Sequence, residues 1–254
     1  MIDSHFHLTD PRLLEPLDAV LARARAAGVE RMVTIGTDIG DATTAIALCE
    51  ANPNIRCAVG IHPNYCHESE IGDVAVVRDF AVHPTVVALG EMGLDYHHKF
   101  APVYRQRRFF EAQLNLASET GRNVIIHCRE AIDDALAMMR GFERTAVFHC
   151  FTGTAEEANR ILAAGFWISY TGAITFKRND ALRECVRLTP RDRLMVETDA
   201  PYLSPEPFRA QKINEPALVV HTAAVVANAW NVPLGEVDRV TTENAERFFG
   251  WPAG

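Results

Sequence analysis

The chain has 254 residues, 48% of them hydrophobic, and a formal charge of −8. That composition suits one large core of single-barrel size, and a second full domain would be crowded. The acidic balance argues against a broad basic surface coating nucleic acid, yet it does not exclude a nuclease, because bound divalent cations can attract a phosphate at one point.

From the N-terminus, residues 1–10 read as a strand and have neither the basic start nor the apolar run of a signal peptide or membrane span. A cytoplasmic protein without membrane association, and a monomer, is the expectation. Short apolar runs predict strands at 1–5, 31–35, 55–59, 86–89, 123–126, 145–148, 166–170 and 193–196. Amphipathic stretches separate them. Leu14, Leu17, Leu21 and Ala24 recur at helical steps before Gly28, and Thr154-Ala155-Glu156-Glu157 has the form of a capping box ahead of Ala158, Ile161, Leu162 and the stop at Gly165. Phe109, Phe110, Gln113, Leu114 and Ala117 read as the core face of another helix. Prolines 201, 205, 207 and 216 mark a long loop after the last strand. The six cysteines include no C-x-x-C pair and read as reduced packing thiols.

Alternating strand and helix allows an open doubly wound sheet or a closed barrel, and the polar residues favour the barrel. The first strand ends in His5-Phe6-His7, whose imidazoles share a face because strand side chains alternate. Further residues of metal-binding type follow separate apolar runs: Glu91, His127, His149 and Asp199. Any one of these could be a satisfied polar residue or a helix cap. Their recurrence at five strand ends points to a (β/α)8 TIM barrel, 1–254, whose strand ends share one mouth. Four imidazoles and two carboxylates exceed the ligand set of one catalytic zinc, so two divalent ions about 3.5–4 Å apart are expected, with Glu91 as the bridge. Asp199 is expected to bind metal and to accept the proton of the attacking water. Imidazole donors suit zinc, manganese, cobalt or nickel better than magnesium.

At these residues the chain resembles the TatD family of metal-dependent deoxyribonucleases, within the amidohydrolase superfamily. The segments that carry the resemblance are Asp3-Ser4-His5-Phe6-His7, Gly60-Ile61-His62-Pro63, Gly90-Glu91-Met92-Gly93-Leu94-Asp95-Tyr96, His127-Cys128-Arg129-Glu130-Ala131 and His149-Cys150-Phe151-Thr152-Gly153. Tyr170-Thr171-Gly172, Glu197-Thr198-Asp199-Ala200-Pro201-Tyr202-Leu203 and Asn214-Glu215-Pro216 complete them. The resemblance implies a barrel, divalent metals and hydrolysis of phosphodiester bonds at DNA ends, commonly the 3′ end, with single-stranded DNA or DNA ends as substrate. It implies the same six metal residues, His5, His7, Glu91, His127, His149 and Asp199. It also implies substrate contacts by His62 and Arg129, against the plainer readings of a turn at His62-Pro63 and a pair between Arg129 and a carboxylate such as Glu130.

Two departures stand out. Ile213 replaces a basic residue in the Arg209–Pro216 loop, leaving Arg209 and Lys212 as candidates for a phosphate, and Asn64 replaces a frequent histidine at a position expected to tune substrate choice. His97-His98 reads as a solvated loop, and Trp167, Trp230 and Trp251 form no spaced stacking platform. The competing functions are hydrolysis of carboxylic esters or amides, including aminoacyl esters, and noncatalytic metal binding; a substrate panel separates them.

Overall fold

The computed structural model describes residues 1–251. All eight expected strands are present: β1 (Ile2–Phe6), β2 (Arg31–Gly36), β3 (Ile55–Val59), β4 (Val86–Asp95), β5 (Val124–Arg129), β6 (Ala146–Phe148), β7 (Trp167–Tyr170) and β8 (Leu194–Val196). They form one sheet in chain order, with helices between successive strands, which is the connectivity of a (β/α)8 barrel. The chain forms two compact units, one of residues 1–34 with the segment from Cys150 onward, the other Ile35–His149.

In the Ile35–His149 unit, β4 pairs in parallel with β3 and β5. It runs ten residues where the apolar pattern marks only four, because two glycines let it continue beside β5. Leu89 faces Val124 and Met92 faces Ile126, so three steps of β4 oppose two of β5. That bulge falls on Gly90-Glu91, the kind of local irregularity that re-aims a side chain. At Gly90 and Gly93 φ is 140° and 141°, and a Cβ would stand 2.6 Å from the Ile125 carbonyl oxygen and 2.0 Å from that of His127. Only glycine tolerates this approach.

The helix Val103–Thr120 buries the predicted apolar face, together with two glutamines one heptad apart, Gln106 and Gln113. Each grips both backbone groups of a single residue. Gln113 Oε1 accepts the Ile61 N–H at 2.8 Å and its Nε2 donates to the Ile61 carbonyl at 3.0 Å. Gln106 does the same to Asp95, at 2.8 and 2.9 Å. Buried amides left unpaired would be destabilising, so these two side chains hold the residue before His62 and the end of β4 in place.

In the other unit, the first helical stretch is broken. Helix Pro11–Leu14 stops before Pro16 and a second helix spans Leu17–Ala26, so Leu13, Val20, Leu21 and Ala24 are buried in place of the continuous stripe through Leu14 and Leu17. The Thr154–Glu157 capping box forms as its sequence indicates, heading helix Ala155–Ala163. Beyond β8 the chain runs beside β1: Asp199 N–H donates to the His5 carbonyl at 2.9 Å and His7 N–H to the Ala200 carbonyl at 2.7 Å. Buried Asp3 reinforces this junction by accepting the Thr198 N–H at 2.9 Å and hydroxyl at 2.6 Å. Asn214, fully buried, donates through Nδ2 to the carbonyls of Thr198 and Tyr202 at 2.9 and 2.6 Å, so the long proline-bearing loop is anchored beneath Asp199. No single helix among the described residues is long and apolar enough to cross a membrane.

Gly93→Ala forces a Cβ into the His127 carbonyl and is expected to destabilise the protein by about 3 kcal/mol or more, read as a lowered urea midpoint by circular dichroism.

Candidate metal centre

In the unit built on β1 and β8, His5 and His7 turn to the same carboxylate. Their Nε2 atoms stand 3.8 and 3.3 Å from Asp199 Oδ1, and the rings meet edge to face with centroids 5.2 Å apart. Donors about 2.0–2.2 Å from a divalent ion lie roughly 3.0–3.6 Å from one another at adjacent coordination positions. The His7 spacing falls in that range and the His5 spacing just beyond it, so two nitrogens and one oxygen suit a cation with little movement. The candidate ligand atoms of this trio lie within 4.8 Å of one another. Asp199 adopts a left-handed backbone (φ 55°) at the turn after β8, with its N–H on His5 and its carbonyl accepting the Tyr202 N–H. It caps no helix.

In the Ile35–His149 unit, Glu91 is buried and surrounded by imidazoles. Its Oε1 lies 2.7 Å from His127 Nδ1, 2.5 Å from His149 Nε2 and 3.3 Å from His62 Nε2. Burial disfavours ionisation of Glu91, but the electrostatic interactions with His149 and His62 and the hydrogen bonds shared with His127 and His149 outweigh it, holding the carboxyl well below its ordinary range. For His127, burial pulls the pKa down while hydrogen bonds to Asp95 and Glu91 prevail and raise it. Protons and a cation thus compete for the same lone pairs.

His62 differs from the other imidazoles. The Asn64 N–H donates to its Nδ1 at 3.0 Å, so the neutral ring carries its proton on Nε2. Burial pushes its pKa down to about 4, against the pull of Glu91, and keeps it neutral. A nitrogen holding a proton cannot ligate a cation. His62 therefore presents an N–H donor, even though its nitrogen, Glu91 and His127 have ligand atoms within 4.8 Å of one another. It also shapes a turn, its carbonyl accepting the N–H groups of Tyr65 and Cys66.

The remaining basic candidates lie at the surface. Arg129 ends β5 two residues after His127, with an exposed side chain; Glu130 pairs instead with His97 Nδ1 at 2.7 Å. Arg209 is exposed with its guanidinium 3.8 Å from the centre of the Phe176 ring, and Lys212 is exposed in the same loop. His98, read as a loop residue, is half exposed but turns Nδ1 to Asp95 at 2.9 Å.

Two buried carboxylates escaped the sequence reading. Glu197 accepts the Cys150 N–H at 2.6 Å and the Ser4 hydroxyl at 3.3 Å. Its i, i+2 spacing from Asp199 repeats the signal of His5 and His7 and could have revealed it. Asp95 faces the far nitrogen of His127, Nε2, at 3.0 Å. It lies four residues beyond Glu91, past a bulge that hides strand alternation.

Comparison with known proteins finds relatives along nearly the whole chain. Residues 2–250 match the family described as TatD related DNase. The uncharacterized metal-dependent hydrolase YabD of Bacillus subtilis is 38% identical over 252 residues, with 98% of each chain covered. A protein of Musicola paradisiaca named 3'-5' ssDNA/RNA exonuclease TatD is 39% identical over 261 residues, covering 98% of this chain and 97% of that one. Among solved structures, YJJV, a TatD homolog from Escherichia coli K12, superposes with a TM-score of 0.92 at 27% identity, covering 99% of this chain and 98% of its own. The (β/α)8 fold, the near full-length match and the paired histidine and carboxylate groups place this chain in the TatD-related family of metal-dependent hydrolases.

Proposed function

We propose that this protein hydrolyses phosphodiester bonds at the ends of single-stranded nucleic acid, releasing nucleotides from the 3′ end with the help of two divalent cations. The observation that carries the reading is the buried Glu91 carboxylate under the nitrogens of His127 and His149, a donor set of the kind that holds a cation. The Musicola relative named as an ssDNA/RNA exonuclease supports the substrate class. In this reading His5, His7 and Asp199 would hold one cation, and Glu91, His127 and His149 another. Divalent cations, when bound, supply Lewis acidity that acidifies water and offsets charge on phosphoryl oxygens.

The remaining work falls to side chains. Asp199 accepts the proton of the attacking water through a carboxylate that is only partly buried. The Nε2–H of His62 donates to a non-bridging phosphate oxygen, its orientation set by Asn64 N–H on one side and Gln113 behind Ile61. Arg129, Arg209 and Lys212 contact flanking phosphates, where exposed basic side chains position a backbone without reading its bases.

The reading is tested with single-stranded DNA and RNA labelled at either end, incubated with manganese, zinc, magnesium, cobalt or nickel and with a chelator control, beside ester and amide substrates. Nucleotide release from the 3′ end that stops on chelation is the expected result; turnover of acyl substrates alone would overturn it. Glu91→Ala should lower bound metal roughly tenfold or more by elemental analysis and reduce hydrolysis at least as far, while the circular dichroism spectrum is retained. Full activity in that variant would exclude Glu91 as a ligand. Asp199→Asn keeps a residue that tolerates left-handed backbone, so the fold survives. Its kcat should fall by about 10²–10⁴-fold while metal content falls much less; equal losses would make Asp199 a ligand only.

A further inference from the structure

Asp95, the last residue of β4, is fully buried, and its two carboxylate oxygens have different partners. Oδ1 accepts the backbone N–H groups of His97 and His98 at 3.0 and 2.8 Å, closing the turn that leaves the strand. Oδ2 lies 3.0 Å from His127 Nε2, 2.9 Å from His98 Nδ1 and accepts the Asn64 Nδ2–H at 3.3 Å. A turn cap accounts for the first oxygen and leaves the second unexplained.

The second oxygen is one side of a line of polar groups: Asp95 Oδ2, then the two nitrogens of His127, then Glu91 Oε1 at 2.7 Å from Nδ1. The imidazole stands between two carboxylates, and when it holds a single proton that proton resides on one nitrogen only. The rigidity of Asp95 favours Nε2: its backbone N–H and carbonyl are both gripped by Gln106, and its Oδ1 is fixed by the His97 and His98 N–H groups. A carboxylate fixed behind an imidazole selects its tautomer and aims the opposite nitrogen.

We propose that Asp95 is a positioning residue that keeps the proton of His127 on Nε2, so that Nδ1 presents its lone pair on the Glu91 side, where a divalent cation is taken. The inference rests on the cation-binding reading above. Asn64 joins the same arrangement, donating its side chain to Asp95 and its backbone N–H to His62. One residue thereby orients two imidazoles through different atoms.

Asp95→Asn separates the two roles. The amide oxygen can go on accepting the N–H groups of His97 and His98, but the NH₂ then faces His127 Nε2 and donates to it, moving the ring proton to Nδ1. Zinc alone serves as the probe, with affinity measured by chelator competition and the ring nitrogens of His127 followed by long-range ¹H–¹⁵N correlation spectra of the zinc-loaded chain. The expected result is an Nε2–H tautomer with zinc on Nδ1 in the unsubstituted protein, and a loss of about 10–100-fold in zinc affinity in Asp95→Asn. Zinc on Nε2, or Nδ1 carrying the proton, overturns the proposal without any variant. So does a folded Asp95→Asn protein with unchanged affinity and tautomer. If the unsubstituted chain binds no zinc or other divalent ion, the cation reading falls and this inference with it; binding by the unsubstituted chain alongside either of the former results rejects the role of Asp95 alone.

Discussion

A carboxylate buried away from water is unfavourable by several kcal/mol unless charged or polar partners replace its hydration. Glu91 meets that condition with the imidazole nitrogens of His127, His149 and His62, and this matters chemically. A permanent cation would neutralise the carboxylate for good. Imidazoles neutralise it only while protonated, and the same lone pairs can turn to a metal ion. Much of the surrounding structure serves to bring Glu91 under those rings.

The backbone achieves this by close approach. Gly90 and Gly93 press β4 against β5 so tightly that no Cβ would fit, and the bulge between them breaks the strand's alternation at Glu91. Behind this, the helix Val103–Thr120 spends two buried glutamines on backbone groups, one before His62 and one at Asp95. Polar residues in a helix's core face are normally a cost. Here each amide is fully paired, and each pins a residue adjoining the imidazole cluster. Asn214 plays the same part beneath Asp199 in the other unit.

How far the site was legible follows from what each residue's signal depends on. His5 and His7 declare themselves by strand alternation, and the structure turns both to Asp199. Glu91, His127 and His149 were legible as donors following apolar runs, and they meet in one cluster. Asp95 was hidden because the bulge and the glycines extend β4 past the end of its apolar run, so nothing local marks it as part of a strand. Gln113 was read as part of a core face, but its grip on Ile61 was hidden because that partner is remote in sequence. The helix stripe through Leu14 and Leu17 was misjudged because Pro16 outweighs apolar periodicity.

The sequence by itself determined the alternation of strands and helices, the capping box at Thr154 and the inventory of imidazoles and carboxylates, because these follow from periodicity and local chemistry within a few residues. Only the tertiary structure decided which partners the ring nitrogens of His62 and His127 meet. Whether a ring nitrogen is a ligand atom or a proton donor depends on which partner holds its other nitrogen. For His62 that partner is the Asn64 N–H, a neighbour whose geometry the turn creates, and for His127 it is Asp95 on an adjacent strand. Tautomers are set by contacts in space, and no pattern along the chain encodes them directly.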